Sequence, residues 1–243
     1  MKVIKLGGSL LEQPNALDAL FASLVEDSEK TIVVHGGGAM VQQWLSKAGL
    51  VSEKVDGLRV SPPEHMPYIV GALAGCANKH LMSRAIAAGL KPVGLTLYEA
   101  GISCQQQSAA LGQVGVCATS GTGLIDSLLT HDCLPLISPI GFGSQGEWFN
   151  VNADDAAVAV AANYNAELLF LTDVEAVLDS NGRAIPQLDT KAIELLVQEK
   201  VIQGGMLVKV RGALDAAKRL RRCVRIGSWN LISQTHSGTQ ISE

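Results

Sequence analysis

Two hydrophobic periods take turns along this chain. A short aliphatic run, Lys2–Leu6, predicts a strand, and Leu17, Leu20, Phe21, Leu24 and Val25 then recur at i, i+3, i+4, i+7 and i+8, one face of a helix. Thr31–Val34 is the next strand. Val41, Trp44, Leu45 and Ala48 mark a helix stopped near Gly49. Val55–Val60 predicts short extended structure or a hairpin. Pro62-Pro63 opens a long helix through Met66, Ile69, Val70, Leu73 and Ala77 to Ala88, with Gly89 as its stop. Pro92–Leu97 is a strand. Ala100 to Thr122, rich in Gln, Ser and Gly, predicts only short surface strands and loops. A helix at Leu124–His131 and a buried strand at Leu134–Ser138 follow.

The second half repeats the alternation. Asp154–Asn163 is an alanine-rich helix suited to close packing, and Glu167–Leu171 a fully apolar strand. Val177–Ile185 contains Asn181-Gly182, the signature of a type I′ hairpin turn. Asp189 or Thr190 caps a helix through Val197. Val208–Leu220 is another helix, Cys223–Ile226 a strand, and Thr239–Ile241 a strand closing an edge. Strand-helix-strand repetition predicts an α/β fold with a mostly parallel sheet covered on both faces. A crease between two lobes is expected near Tyr164.

Composition sharpens this picture. With 243 residues, 47% apolar and only 17% charged, the chain can bury a large core. A net charge of −4 gives no general attraction to nucleic acid or anionic membranes. The basic run Lys218–Arg222 falls where a helix ends, and cations there oppose the helix dipole. Five cysteines without a C-x-x-C pair predict reduced thiols and a cytoplasmic protein. No leader pattern and no apolar stretch of ~20 residues is present, so neither export nor a membrane span is expected.

The candidate chemistry lies at strand ends. Lys5-Leu6-Gly7-Gly8-Ser9 and His35-Gly36-Gly37-Gly38 each end a strand in glycines ahead of a helical pattern. Bare backbone N–H groups there cradle anions, and a lysine feeds one of the two loops. The usual nucleotide loop G-x-x-x-x-G-K-[ST] is absent. Gly141-Phe142-Gly143-Ser144-Gln145-Gly146 fits G-x-G-x-x-G, but Glu147–Val151 reads as extended chain, so a hairpin turn is expected rather than a dinucleotide loop. Asn150, Asn152 and Asp154 converge at a strand-helix junction. Capping by Asp154 needs only one of the three, so ligand-facing amides are expected. Thr172-Asp173-Val174 ends a strand where α/β folds place ligands. Gly204-Gly205 leads a helix with Lys209 in its first turn, an unfavourable place for a cation unless a polyanion binds. The histidines lack metal-ligand spacing, so no protein-held metal is expected. His35 is expected to orient its loop.

These motifs, in order and with Gly57-Leu58-Arg59-Val60, Gly71–Gly75 and Asn78-Lys79, resemble the amino-acid kinase family over nearly the whole chain. The resemblance implies an αβα sandwich around a mainly parallel sheet, with residues 1–163 as an acceptor-binding and dimerisation lobe and 164–243 as an ATP lobe. Gly57–Val60 and the Asn150/Asn152 motif favour the members that phosphorylate the γ-carboxylate of N-acetyl-L-glutamate, the second step of arginine biosynthesis. On that likeness Lys5 and Lys209 contact the phosphoryl group in flight, Asp154 positions both lysines, and Gly8, Gly37 and Gly38 supply N–H donors. Arg59 and Asn150, helped by Asn152, hold the acceptor. Asp173, Val174, Glu175, Ala176, Val177 and Leu178, with Val201, Ile202 and Gln203, line the nucleotide site. Ala176 stands where the family often has glycine. Mg²⁺ would ride on the ATP phosphates. The chain starts directly at its first strand, whereas arginine-inhibited hexameric relatives carry a preceding helix, so a homodimer with weak arginine feedback is expected. The alternatives are another family activity (on glutamate, aspartate, carbamate or UMP) or a non-catalytic ligand sensor.

Overall fold

The computed structural model describes residues 1–119, 121, 123–233 and 237–243. In chain order the elements begin with β1 (Lys2–Leu6), a 3₁₀ turn (Gly8–Glu12), α1 (Pro14–Glu26), β2 (Thr31–His35) and α2 (Gly38–Lys47). The short strands β3 (Lys54–Val55) and β4 (Leu58–Arg59) come next, then a continuous helical run. That run comprises a 3₁₀ turn (Pro63–His65), α3 (Met66–Val70), a π-helical segment (Gly71–Ala77) and α4 (Asn78–Ala87). Next are β5 (Pro92–Leu95), β6 (Ile102–Gln106), β7 (Val114–Thr119), α5 (Leu124–Thr130), β8 (Leu134–Ile137), β9 (Ile140–Phe142) and β10 (Trp148–Val151). The chain finishes with α6 (Ala153–Asn163), β11 (Glu167–Leu171), β12 (Gln187–Leu188), α7 (Thr190–Gln198), α8 (Gly204–Leu220), β13 (Val224–Gly227), α9 (Asn230–Ser233) and β14 (Thr239–Ile241).

The main sheet has eight strands in the order β12-β14-β13-β11-β1-β2-β8-β5. Every pairing is parallel except β13 with β14. The pleat explains the two covering layers, because successive side chains face opposite sides. Val3, Ile32, Val34, Leu168 and Phe170 face one core with the alanines of α6 and with Ala213 and Leu214 of α8. Ile4, Leu6, Val33 and Leu169 face the other core, against Leu17, Leu20 and Phe21 of α1 and Leu81 of α4. Val25, expected on the apolar face of α1, is 52% exposed. The expected α/β sandwich around a mainly parallel sheet is what forms.

Several local expectations need correction. The 100–122 segment holds the expected short strands, but they are not only on the surface. β6 and β7 join β10 and β9 in a four-stranded sheet, in the order β6-β7-β10-β9, with Ile102, Cys104 and Val114 buried. Ser120 and Thr122 lie outside the described residues. β14 does not close an edge but lies between β12 and β13. The turn at Asn181-Gly182 is not type I′, because only Gly182 takes a positive φ (75°). Asp179 instead organises it, its Oδ1 accepting from the N–H groups of Asn181 and Arg183, each at 2.8 Å. The long helix carries a π segment at Gly71, where a Cβ would lie 2.9 Å from the Trp44 ring. The 141–146 glycines do form a hairpin, between antiparallel β9 and β10.

Candidate active site

Side-by-side pairing of β1 and β2 sets their glycine loops face to face. A Cβ on Gly8 would lie 3.6 Å from the Gly37 nitrogen and 3.7 Å from the Gly38 nitrogen. Gly38 is the first residue of α2, and Gly37 takes a φ of 155°, where a Cβ would meet Leu73 at 2.7 Å. Side chains are thus kept out, and main-chain N–H groups border the space between the loops. Ala153, first residue of α6, comes up on the same side. The cavity these ends share has a volume of about 250 Å³ and is walled also by Lys5, Arg59, Asn150 and Asp154. Helix N-termini and a lysine around one polar cavity favour an anion.

Arg59 reaches this cavity from the β3–β4 hairpin. Asp56 and Gly57, both at positive φ (50° and 83°), make the tight reversal that returns β4 beside β3. Arg59 is only 9% exposed. Its Nη1 donates to Gln42 Oε1 at 2.8 Å and to Ser52 Oγ, and its Nη2 donates to the Gly38 carbonyl at 3.0 Å. Burial lowers its pKa from the ordinary arginine value. A guanidinium nevertheless stays charged, so a held cation faces the cavity. Asn150 Nδ2 donates to Ser61 Oγ at 3.0 Å, and Ser61 Oγ donates to the Arg59 carbonyl at 2.9 Å. This relay ties the β10 amide to the arginine-bearing strand. Sequence reasoning missed Ser61, which is fully buried, and Lys54 and Leu58, which also line the cavity. The register pairing Lys54 with Arg59 could have flagged the lysine.

Asn152, not Asp154, is the cap of α6. Its Oδ1 accepts from the N–H groups of Asp154 at 2.8 Å and Asp155 at 3.3 Å. The capping oxygen is therefore committed, and only its amide nitrogen remains for a ligand. Asp154 instead takes Lys5 Nζ at 2.8 Å.

A second, smaller cavity of about 60 Å³ adjoins the first. Lys5 and Asp154 line both, and Thr172 and Lys209 line the smaller one. The two lysines, from opposite ends of the chain, thus face one space. The resemblance gives Asp154 both lysines, whereas in this structure it pairs with Lys5. Lys209 pairs with Asp173 at 2.5 Å, because α8 begins at Gly204 and places Lys209 in its second turn, not its first. The Lys209 ammonium and then the local backbone hold the Asp173 carboxyl below its usual range. Of the residues expected to line a nucleotide site, Asp173, Glu175, Leu178 and Gln203 are exposed, and Val174 and Val201 half-buried. The side chains of Ala176, Val177 and Ile202 are buried, at 4%, 0% and 2% exposure. The Val177 N–H is also committed, to Thr239 Oγ1 at 2.9 Å.

His35 acts as the loop's strut. Its Nδ1–H donates to the Gly36 carbonyl at 2.7 Å, and its Nε2 accepts from Asn78 Nδ2 at 3.1 Å. Complete burial lowers its pKa from 6.5 to about 4, against a backbone hydrogen bond that raises it. As pH falls, the unfolded chain therefore takes up this proton first. The stabilisation is fully present above about pH 6.5 and is lost towards pH 4. About 2 kcal/mol should disappear between roughly pH 8 and pH 5. Urea midpoints at the two pH values read this loss, and His35→Gln should show a smaller fall. An equal fall in the variant would assign the pH dependence elsewhere.

The model of the family described as "Amino acid kinase family" matches residues 1–228. The chain belongs to the amino-acid kinase family. Among relatives in this family, an acetylglutamate kinase from Moritella profunda is 43% identical over 252 residues, covering 99% of this chain and 96% of that protein. Another, from Colwellia psychrerythraea, is 46% identical over 229 residues, covering 93% and 88%. The fold is also that of smu.665 from Streptococcus mutans, a solved structure with a TM-score of 0.77 at 24% identity, covering 99% of this chain and 97% of that one.

Proposed function

We infer that this chain is an ATP-dependent kinase that phosphorylates the γ-carboxylate of N-acetyl-L-glutamate in arginine biosynthesis. The observation that carries the reading is the pair of adjoining cavities sharing Lys5 and Asp154, in a chain whose relatives named acetylglutamate kinase match it nearly end to end. The larger cavity takes the acceptor. Arg59 receives one carboxylate as a charge-assisted partner, with Asn150 beside it, and the Gly8, Gly37 and Gly38 loops face the reacting end. The smaller cavity, towards Asp173, Glu175 and Gln203, takes the phosphates of ATP.

A γ-carboxylate with an ordinary pKa near ~4.3 is already ionised at neutral pH, so the site needs no general base. One carboxylate oxygen bonds to the γ-phosphorus while the bond from that phosphorus to the oxygen bridging to ADP breaks, and ADP leaves with the electron pair. The difficulty is bringing two anions together. Lys5 and Lys209 supply mobile positive charge from two sides, and the glycine amides add fixed dipoles. Among the described residues no group of three or more His, Cys, Asp or Glu side chains is placed to hold a metal. Mg²⁺ carried on the ATP phosphates suits that donor set, because it keeps most of its waters and takes few protein ligands. When bound it neutralises phosphate charge. Residues 1–163 serve the acceptor and 164–243 the nucleotide, in a cytoplasmic homodimer.

ATP-dependent hydroxamate formation in the presence of hydroxylamine tests the reading. N-acetyl-L-glutamate should yield hydroxamate, while L-glutamate, L-aspartate and carbamate yield little. Equal turnover of unacetylated glutamate would overturn the assignment, and tight binding without any turnover would make the chain a sensor.

A further inference from the structure

Cys104 and Cys117 lie directly opposite each other in the antiparallel pair β6–β7. The ladder tells which kind of pair they form. Gln107 donates its N–H to the Val114 carbonyl at 2.8 Å, so 107 and 114 are a hydrogen-bonded pair. Antiparallel pairs alternate. Counting three steps along, 104 and 117 fall on a non-hydrogen-bonded pair, the kind whose Cα atoms approach to about 4.5 Å with side chains on the same face. That separation lies within the range a disulfide spans. The two sulfurs are 4.0 Å apart, and rotation about the Cα–Cβ bonds closes such a gap without moving the strands.

The surroundings give the two thiols different parts. Cys104 is 6% exposed and sits under β9, where a Cβ on Gly141 would lie 2.2 Å from its sulfur. Its pKa is lowered from the ordinary thiol value chiefly by the hydrogen bond shared with Cys117, against burial and with a smaller help from the Phe142 N–H, while the same neighbour and burial raise the Cys117 thiol. Cys117 is half-buried, the more exposed residue of the two. The other cysteines have no such neighbour: Cys76 and Cys223 are exposed on separate elements, and Cys133 lies before β8.

We propose that Cys104 and Cys117 form a redox-active dithiol that closes into an intrachain disulfide on meeting a low-molecular-weight disulfide such as oxidised glutathione. In the first step the Cys117 sulfur, held protonated by its Cys104 neighbour and by burial, attacks one sulfur of the small disulfide as it gives up its proton. A mixed disulfide forms, and one small thiolate leaves. In the second step the Cys104 thiolate, still receiving the Phe142 N–H, attacks the Cys117 sulfur and expels the second small thiolate. Two protein thiols are oxidised to one disulfide, one small disulfide is reduced to two thiols, and the two protons pass to the departing thiolates. The closed link lies in β7, the strand that carries Val114 on the wall of the acceptor cavity and pairs with β10 at Asn150.

The test is a peptide map of the full chain after incubation with oxidised glutathione, cut under non-reducing conditions by a protease that cleaves at Leu111. The expected result is a direct Cys104–Cys117 link that retains no glutathione and opens with dithiothreitol, while Cys76 and Cys223 carry glutathione. Cys104→Ser should trap glutathione on Cys117, because the resolving sulfur is gone. Free thiols at both positions while Cys76 and Cys223 are modified would overturn the proposal, as would glutathione retained on wild-type Cys117. The wild-type map decides the matter even if the variant folds poorly.

Discussion

Lys5→Ala should lower turnover on the order of 10²–10³-fold, comparable to the loss of a charge-stabilising donor in other enzymes. The structure gives two reasons for an effect of that size. Lys5 borders both cavities, which under the proposed function sets its ammonium between the attacking and departing groups. Its removal also leaves Asp154 without its 2.8 Å partner, exposing a carboxylate towards two anionic substrates. Asp154→Asn in the Lys5→Ala background removes that repulsion and should recover part of the loss. Steady-state kinetics at saturating ATP and acceptor check both. Turnover within a few-fold of wild type in Lys5→Ala would exclude the lysine from the transfer step.

Arg59→Ala should act on a different quantity. The guanidinium is fixed by Gln42, Ser52 and the Gly38 carbonyl before any ligand arrives, so under the proposed function it meets the acceptor in a prepared geometry. A hydrogen bond to a charged group contributes about 1.5–3 kcal/mol, so the acceptor KM should rise on the order of 10–100-fold. The KM for ATP should change little. Arg59→Lys should not restore binding, because a single ammonium cannot satisfy three fixed acceptors and a ligand together. Circular dichroism separates this effect from lost packing of a nearly buried side chain. Equal rises in both KM values would count against the acceptor role.

How much of this was readable beforehand depended on the range of the interaction. β11 matched its predicted bounds because a run buried on both faces needs only composition to be recognised. Asp189 as cap of α7 was legible for the same local reason, its Oδ1 accepting the Ala192 N–H at 2.8 Å. The burial of the β6–β7 strands escaped notice although Ile102 and Cys104 point in and Gln105 out, because glutamines and serines weaken the strand signal. The start of α8 was hidden by Gly204 and Gly205, poor helix formers that nonetheless begin it, and this misplaced Lys209 by a turn. Long-range partners were out of reach altogether. Nothing near Asp154 in the chain says that Lys209 goes to Asp173, and nothing near Arg59 names Gln42 as its brace. The substrate motifs were visible, whereas the contacts that aim them were not.

The meeting of the two glycine loops has a consequence for how this protein tolerates change over generations. Every residue type except proline carries a backbone N–H, so at Gly37, where a Cβ would meet Leu73 at 2.7 Å, selection acts on the absence of a side chain, not on the identity of one. Drift in the neighbouring ribbon of residues 54–59 can then retune which acid is accepted, while the anion grip stays as it was.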